Sequence, residues 1–246
     1  MLTWLLDSDP ALRWQVEKDL AGAPPEVWTA TRHRIAAEGF GARLLARQDP
    51  DGQWAGGAYV PANFQGESSV AGGQPWTATT PSLTTLREWG LDPAVLRERH
   101  TAELLAENCR WEYDNLPYWG GEVDVCINAW TIANGSWLGV DVSGLAQWFL
   151  EHRQEDGGWN CAWVEGSKRS SVHSTLNALK GLLAYEVATG GTGETRAARR
   201  AGEEYLLQRR LMYRLSTGGQ IAPWVDHFAY PIRWHYSVIS AVEYFR

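Results

Sequence analysis

The stretch GLAQWFLEHRQEDGGW, residues 144–159, decides the fold because an earlier stretch, GARLLARQDPDGQW at residues 41–54, repeats its pattern. Each has an apolar helical segment, then Gln, then a glycine-containing turn, then Trp. Two shorter stretches, WGLD at 89–92 and LGVD at 138–141, recur at an offset of 49 residues. Self-similarity at a fixed spacing is typical of repeat proteins. The sequence therefore predicts a structural unit that recurs about every 49 residues.

Each repeat can be filled with two helices. Gly90 suits the position just after a helix, Asp92 suits an N-cap and Pro93 a first helical residue, so this segment predicts a tight turn between antiparallel helices. No long stretch alternates apolar and polar residues as a strand would. The prediction is an all-α fold. The predicted helices are 10–21, 26–47, 76–89, 93–108, 124–138, 142–153, 171–187, 195–210 and 232–246.

The connections between these helices alternate between short and long. The long ones are rich in Gly, Trp, Pro and Tyr, and in a ring of antiparallel helices they all lie at one end, where a binding site is expected. The chain is thus predicted to form a single domain over residues 1–246, a ring of about nine or ten helices in tandem antiparallel pairs. The long connections are 48–75, 109–123, 154–170 and 211–231.

Composition excludes several classes of protein. With 246 residues and 44% hydrophobic side chains, the chain has the material for a core and is not predicted to be disordered. Its 22 Lys and Arg against 29 Asp and Glu give a net charge of −7 without a basic stripe, which argues against a nucleic-acid partner. No run approaches the roughly 18 apolar residues of a membrane span. Three cysteines and a start, MLTWLLDSDP, without a signal-peptide pattern predict a reduced, cytoplasmic protein.

The two Gln-to-Trp segments, Gln48–Trp54 and Gln154–Trp159, carry a resemblance to a known family. They resemble the QW motifs of the squalene and oxidosqualene cyclases, and the helical pairs resemble the α/α toroid that these enzymes share with the β subunits of protein prenyltransferases. The resemblance implies an α/α toroid with QW-type motifs and an apolar, isoprenoid-like small-molecule substrate. We call these two stretches the turn-Trp segments and expect them to tie a helix end to the next loop, as stabilising elements.

Candidate chemistry lies at the start of two helices. Asp124 and His173 are 49 residues apart, so the repeat predicts that they lie side by side at the end with the long loops. Asp124 and Cys126 sit where a loop becomes a helix and can turn toward one point. Such an O, S and N set suits a tetrahedral Zn²⁺ site with its fourth position open. Cys161 is a possible fourth ligand, which would close the site, and the alternative for each residue is a purely structural role.

The spacing of Asp124, Cys126 and His173 also resembles the zinc ligands of the prenyltransferase β subunits. In that resemblance Trp130 falls on an aromatic residue that lines the isoprenoid pocket. The positions that hold diphosphate in the family are Tyr118, Gly121 and Ile127 here, so the basic clamp is not present. The family works with a separate helical α subunit, and one sequence does not decide whether this chain has such a partner or what its oligomeric state is.

Together with the zinc ligands, the resemblance predicts a zinc-dependent enzyme that acts on an apolar, isoprenoid-like substrate at the end with the long loops. Two alternatives follow from the same segments. The stretch Glu122–Cys126 resembles the Asp-x-Asp-Asp-Thr motif of class II terpenoid cyclases, which would make Asp124 the acid that protonates an alkene and Glu122 its partner. Coupled carboxylates can raise one pKa enough for that role. A non-catalytic ligand-binding toroid is the other alternative, because rings on the long loops can line a cavity. The predicted substrate-binding aromatics are Trp76, Tyr118, Trp130, Trp163 and Trp234.

Overall fold

The computed structural model describes residues 2–64, 74–228 and 230–246, and within them it is all-α. These ranges contain isolated β-bridges but no strand, which confirms the predicted fold class. No helix in the same ranges combines the length and the hydropathy that a membrane span requires. The helices are α1 Leu2–Leu6, α2 Pro10–Asp19, α3 Pro25–His33, α4 Gly39–Leu45, α5 Thr79–Glu88, α6 Pro93–Glu98, α7 Thr101–Asn108, α8 Val125–Leu138, α9 Ser143–Glu151, α10 Val172–Thr189, α11 Gly193–Gln208 and α12 Val238–Phe245.

The chain divides into two compact units, Met1–Trp119 and Gly120–Arg246. The first contains α1 to α7 and the second α8 to α12. The single domain and the ring of helices that the sequence predicts stay predictions.

The predicted helix turn before α6 is present in the first unit. Gly90 has a φ of +88°, which only glycine adopts readily, and Pro93 is the first residue of α6. The Asp92 side chain accepts a hydrogen bond from the backbone N–H of Ala94 at 2.9 Å. The sequence signals for helix ends thus work here as local chemistry requires.

Three predicted helices are shorter or broken in the structure. The predicted helix 26–47 is interrupted after His33, where α3 ends and a 3-10 turn, Arg34–Ala36, follows. The predicted helix 93–108 is interrupted at His100, which has a φ of +54°. A residue in the left-handed region turns the backbone away from the helical path, so the helical hydrogen bonds do not continue through it. The last helix begins at Val238 because the Ser237 side chain caps it, accepting from the N–H of Ser240.

Helices α8 and α10 form the centre of the second unit. A methyl group added at Gly181 would lie 2.8 Å from the carbonyl oxygen of Ala129, so the two backbones approach too closely for any larger residue. Cys126, at the start of α8, lies by Ser174, at the start of α10. The two helices therefore run parallel, and their first turns lie side by side, as the repeat spacing predicted.

Both turn-Trp segments make the same hydrogen bonds. The indole N–H of Trp54 donates to the carbonyl of Leu44, and that of Trp159 donates to the carbonyl of Phe149, each at 2.8 Å. Both carbonyls lie in the last turn of a helix, where carbonyl groups are left over from the helical hydrogen-bond pattern. The segments thus tie a helix end to the next loop, as expected from the sequence, while their assignment to the QW motifs stays a prediction.

Candidate functional site

Two cysteines from different elements of the second unit lie against each other. Cys126 is in the first turn of α8, and Cys161 begins a short 3-10 turn, Cys161–Glu165. Their Sγ atoms are 3.5 Å apart, and both are free thiols. Cys126 is buried, with 8% of its surface exposed, whereas Cys161 is half-buried. We call these two residues the dithiol pair.

Ser174, in the first turn of α10, holds the dithiol pair in place. Its Oγ lies 3.4 Å from the Sγ of Cys161 and 3.9 Å from the Sγ of Cys126. The same Oγ accepts a hydrogen bond from the backbone N–H of Cys161 at 3.1 Å. Asn177, one turn further along α10, places its Nδ2 atom 3.7 Å from the Sγ of Cys126. Three elements, α8, the 3-10 turn and α10, therefore meet at the two sulfur atoms.

The surroundings shift the two thiol pKa values in opposite directions. The hydrogen bond with Cys161, together with burial, raises the pKa of Cys126 well above its usual range. The same hydrogen bond lowers the pKa of Cys161, against the effect of its own burial, and Ser174 helps to lower it. The negative charge of Asp124 acts to raise both thiol pKa values. A thiolate in this pair therefore forms on Cys161, because its pKa is the lowered one and its sulfur is the more exposed of the two and accepts from the Ser174 hydroxyl.

His173 does not turn toward the dithiol pair. Its Nδ1 accepts a hydrogen bond from the backbone N–H of Tyr236 at 2.8 Å, and its ring lies among those of Trp224, at 4.7 Å, and Trp234, at 5.4 Å. Burial, with the nearby charge of His235, lowers the pKa of His173 to about 4. At neutral pH the ring is therefore neutral, and because Nδ1 is the acceptor, its proton is on Nε2.

The predicted zinc ligands are brought near one another only in part. Asp124 is close enough to act on both thiols of the dithiol pair, but Ser174 rather than its neighbour His173 contacts the sulfur atoms. Among the residues that the structure describes, no three His, Cys, Asp or Glu side chains are grouped so that they could hold a metal ion. Zinc ligation by Asp124, Cys126 and His173 stays a prediction.

Glu122 and Asp124, the predicted acid pair, are linked by a hydrogen bond from the backbone of one to the side chain of the other. The Glu122 carboxylate accepts the backbone N–H of Asp124 at 2.7 Å, in a buried turn just before α8. The side chain of Asn128 secures the same turn by accepting from the N–H of Glu122 and donating to its carbonyl. Glu122 therefore shapes the start of α8, and the acid role of Asp124 stays a prediction.

The predicted aromatic residues of the second unit have different surroundings. Trp163 donates its indole N–H to the carbonyl of Val123 at 2.9 Å. Trp234 stacks on the ring of His235 at 3.9 Å, and Trp130 is buried, with 8% of its surface exposed. Of these three, Trp234 lies beside His173.

The other two predicted aromatics belong to the first unit. Tyr118 is fully buried, with its hydroxyl 2.9 Å from that of Thr80 and its ring stacked on Trp111 at 5.0 Å. Burial raises the pKa of Tyr118 well above its usual range. The rings of Trp76 and Tyr59 pack edge to face, with their centroids 5.9 Å apart. In this unit Tyr118 is a core residue with a satisfied hydroxyl.

A cavity of about 320 Å³ in the second unit joins His173 to two arginines. The guanidinium of Arg209 lies 3.6 Å over the ring of Tyr205, and that of Arg214 donates to the carbonyl of Ile221 at 2.6 and 3.1 Å. Neither arginine forms an ion pair with a carboxylate in the described part of the chain. The cavity is lined by Ser170, Ser171, Val172, His173, Tyr205, Arg209, Arg214, Ile221 and Trp224.

One carboxylate lies at the edge of this cavity. The Asp156 side chain accepts hydrogen bonds from both the backbone N–H and the hydroxyl of Ser170. Among the described residues that line the cavity, the charged side chains are thus the two arginines, and Asp156 at the edge is hydrogen-bonded to Ser170.

Comparisons of the chain with protein-family models, with curated proteins and with solved structures found no match. Sequence reasoning missed Arg209 and Arg214, because basic residues after the end of a helix read as ordinary partners of the helix dipole. The signal that could have found them is that Arg209 and Arg214 flank the point where the predicted helix 195–210 gives way to the long connection 211–231.

A larger concavity, of about 570 Å³, lies at the other end of the sequence. It is lined by Thr3, Trp4, Leu6 and Asp7, which belong to the five-residue helix α1 and the turn after it. It holds one carboxylate and lacks the convergent polar groups of a small-molecule site. The cavity beside His173 is thus the better candidate.

Proposed function

We propose that the protein is an enzyme that binds an apolar, isoprenoid-like substrate with an anionic head group in the cavity beside His173. The observation that carries the proposal is the cavity itself, in which two arginines without a carboxylate partner among the described residues lie next to aromatic rings. The toroidal arrangement predicted from the sequence and the kinship with terpenoid cyclases and prenyltransferases belong to the same proposal.

The arginines are the candidate head-group ligands. Each guanidinium is planar and has five N–H donors, of which the contacts with Tyr205 and Ile221 use one or two. The remaining donors match the oxygen atoms of a phosphate, diphosphate or carboxylate. The start of α10, an 18-residue helix, lies at the same cavity and adds the positive end of its dipole. In this proposal the two arginines take the role of the basic clamp, although they lie elsewhere than Tyr118 and Gly121, where the related enzymes have basic residues.

The rings are the candidate contacts for the apolar part of the substrate. Trp224 lines the cavity and is 38% exposed, so its ring has free surface, and Trp234 lies beside His173. The volume of about 320 Å³ is within the range of about 300–1,000 Å³ of small-molecule sites, at its lower end. A head group with a short isoprenyl chain is the size of ligand that this volume favours.

His173 is the candidate hydrogen-bond donor in the reaction. Its ring is neutral at pH 7, and the backbone N–H of Tyr236 keeps the proton on Nε2. A fixed neutral donor stabilises negative charge that develops on a departing head group, and it does so without being titrated. Departure of an anionic leaving group is the reaction step that this arrangement would promote.

Isothermal titration calorimetry with geranyl diphosphate tests the proposal. We expect saturable binding that weakens about tenfold in Arg209→Gln and again in Arg214→Gln, because each loses a charge-assisted hydrogen bond of about 1.5–3 kcal/mol. Arg196→Gln is the matched control, since Arg196 is exposed on α11 and donates to the carbonyl of Gly190, outside the cavity. Equal binding by all variants, or none by the native chain, contradicts the proposal.

Turnover separates the enzyme from its alternatives. Release of diphosphate from the same ligand, lost in His173→Phe, supports the enzyme, and metal analysis with and without added zinc decides whether the predicted Zn²⁺ takes part. Cyclisation of a squalene-like polyene that Asp124→Asn abolishes would support the acid mechanism of Asp124 and Glu122. Saturable binding without any turnover would instead support a ligand-binding protein.

A further inference from the structure

We propose that the dithiol pair, Cys126 and Cys161, is a thiol–disulfide exchange site that reduces a low-molecular-weight disulfide of the glutathione type. Cys161 is the attacking thiol and Cys126 the resolving thiol. This site is separate from the cavity that the two arginines line and does not depend on the function proposed for that cavity.

The geometry allows the two sulfur atoms to bond. Their present distance is 3.5 Å, and a disulfide requires about 2.05 Å, so an approach of about 1.5 Å is enough. Cys126 lies within the 14-residue helix α8, which is packed against α10, whereas Cys161 begins a 3-10 turn of five residues. The turn is the element that can make this small movement, since it has fewer backbone hydrogen bonds to break.

Exposure assigns the order of attack. Cys161 is half-buried and can be reached by a small disulfide, whereas only 8% of Cys126 is exposed and Cys161 lies against it. A reagent from solution therefore meets Cys161 first. Cys126 can then reach the mixed disulfide from the protein side without itself meeting the reagent.

Ser174 is the positioning residue. Its hydroxyl donates to the Sγ of Cys161 at 3.4 Å, while its Oγ accepts the backbone N–H of the same cysteine at 3.1 Å. The two bonds hold the Cys161 sulfur toward Cys126, and the bond from the hydroxyl stabilises negative charge on that sulfur. No catalytic contact with the reagent is assigned to Ser174.

The exchange is balanced in atoms and electrons. The Cys161 thiol loses its proton to solvent, and its sulfur attacks one sulfur of the external disulfide, which forms a mixed disulfide and releases the first external thiolate. The Cys126 thiol then loses its proton, and its sulfur attacks the Sγ of Cys161, which releases the second external thiolate. The pair is oxidised by two electrons to a disulfide, and the external disulfide is reduced to two thiols.

The test oxidises the full chain with glutathione disulfide after reduction and removal of the reductant. We expect the thiols that can be titrated in denaturant to fall from three to one, the intact mass to fall by two hydrogen atoms, and peptide mapping to link Cys126 with Cys161. Cys109→Ser is the matched control and should lose both of its thiols. In Cys126→Ser the reaction should stop at a stable glutathione adduct on Cys161.

Two further variants keep the proposal falsifiable if Cys126→Ser fails to fold. Cys161→Ser should take up no glutathione under the same conditions, because Cys126 is buried and Cys109 is fully buried. Ser174→Ala should accumulate the mixed disulfide before the pair closes. Three thiols that remain in the native chain, a lasting adduct on its Cys161, or a linkage that includes Cys109 would each overturn the proposal.

Discussion

The two turn-Trp segments have the same local structure but different chemical surroundings. In each, the backbone N–H of the Trp donates to a threonine hydroxyl at 3.1 Å, from Trp54 to Thr79 in the first unit and from Trp159 to Thr175 in the second. Two residues after the Trp, the first unit has Gly56 and the second has Cys161. The scaffold is thus repeated, while the reactive group is present only once.

The residue just before each threonine differs in the same way. It is Ala78 in the first unit and Ser174 in the second. The lone thiol of the first unit, Cys109, has its pKa raised to about 12, mainly by burial, whereas the pKa of Cys161 is lowered by its neighbours. The second unit therefore has its thiol pair beside the same Trp-to-Thr hydrogen bond that the first unit makes, and the bond itself is kept.

The largest expected effect tests whether the two turn-Trp segments are equivalent. Trp54 and Trp159 are both almost fully buried, so Trp54→Ala and Trp159→Ala should each lower the free energy of unfolding by about 3–5 kcal/mol. Urea denaturation followed by circular dichroism measures both. A cost below about 1 kcal/mol for either one would mean that its segment is not structural.

The next effect concerns the dithiol pair, which the first unit lacks. A disulfide between Cys126 and Cys161 closes a loop with a sequence separation of 35 residues, which should raise the free energy of unfolding by about 4 kcal/mol over the reduced chain. Thermal unfolding of oxidised and reduced protein measures the difference. Cys109→Ser should retain the gain, and Cys161→Ser should abolish it.

A smaller effect tests the threonine that each turn-Trp segment uses. Thr79→Val and Thr175→Val keep the shape of the side chain but leave the buried N–H of the Trp without that acceptor, at a cost of about 2 kcal/mol. The two costs should agree within about 1 kcal/mol in urea denaturation. A cost in one unit only would show that the segments share a geometry without sharing its energetics.

The smallest effect is a pH dependence that His173 brings to the second unit. Its pKa of about 4 in the folded chain lies below the ordinary 6.5, so between these values the unfolded chain binds a proton that the native chain does not. Stability is therefore complete above about pH 6.5 and falls as the pH drops toward 4. Because the ring is half-exposed, the loss should be about 1 kcal/mol.

The measurement compares the native chain with His173→Phe across this pH range. The variant should remove that part of the pH dependence, while the contributions of all other groups are common to both proteins. If the free energy of unfolding depended on pH in the same way in both proteins, His173 would be protonated in the folded protein.

Element type and many helix ends followed from the local sequence, while the break at His100 did not. Asp92 and Pro93 begin α6 where predicted, because capping and a fixed φ act within a few residues. His100 breaks a predicted helix although histidine carries no strong stop signal. A non-glycine residue in the left-handed region is held there by its surroundings, which a local pattern does not contain.

By itself the sequence determined the all-α class, the 49-residue register and the placement of chemical groups at the starts of α8 and α10. Only the tertiary structure decided which side chain faces which. Consecutive helical residues point about 100° apart, so a register that is correct to within one residue does not distinguish His173 from Ser174. In the packed structure Ser174 faces the sulfur atoms and His173 faces the backbone N–H of Tyr236. A local sequence pattern does not contain this contact, because Tyr236 lies 63 residues from His173 in the sequence.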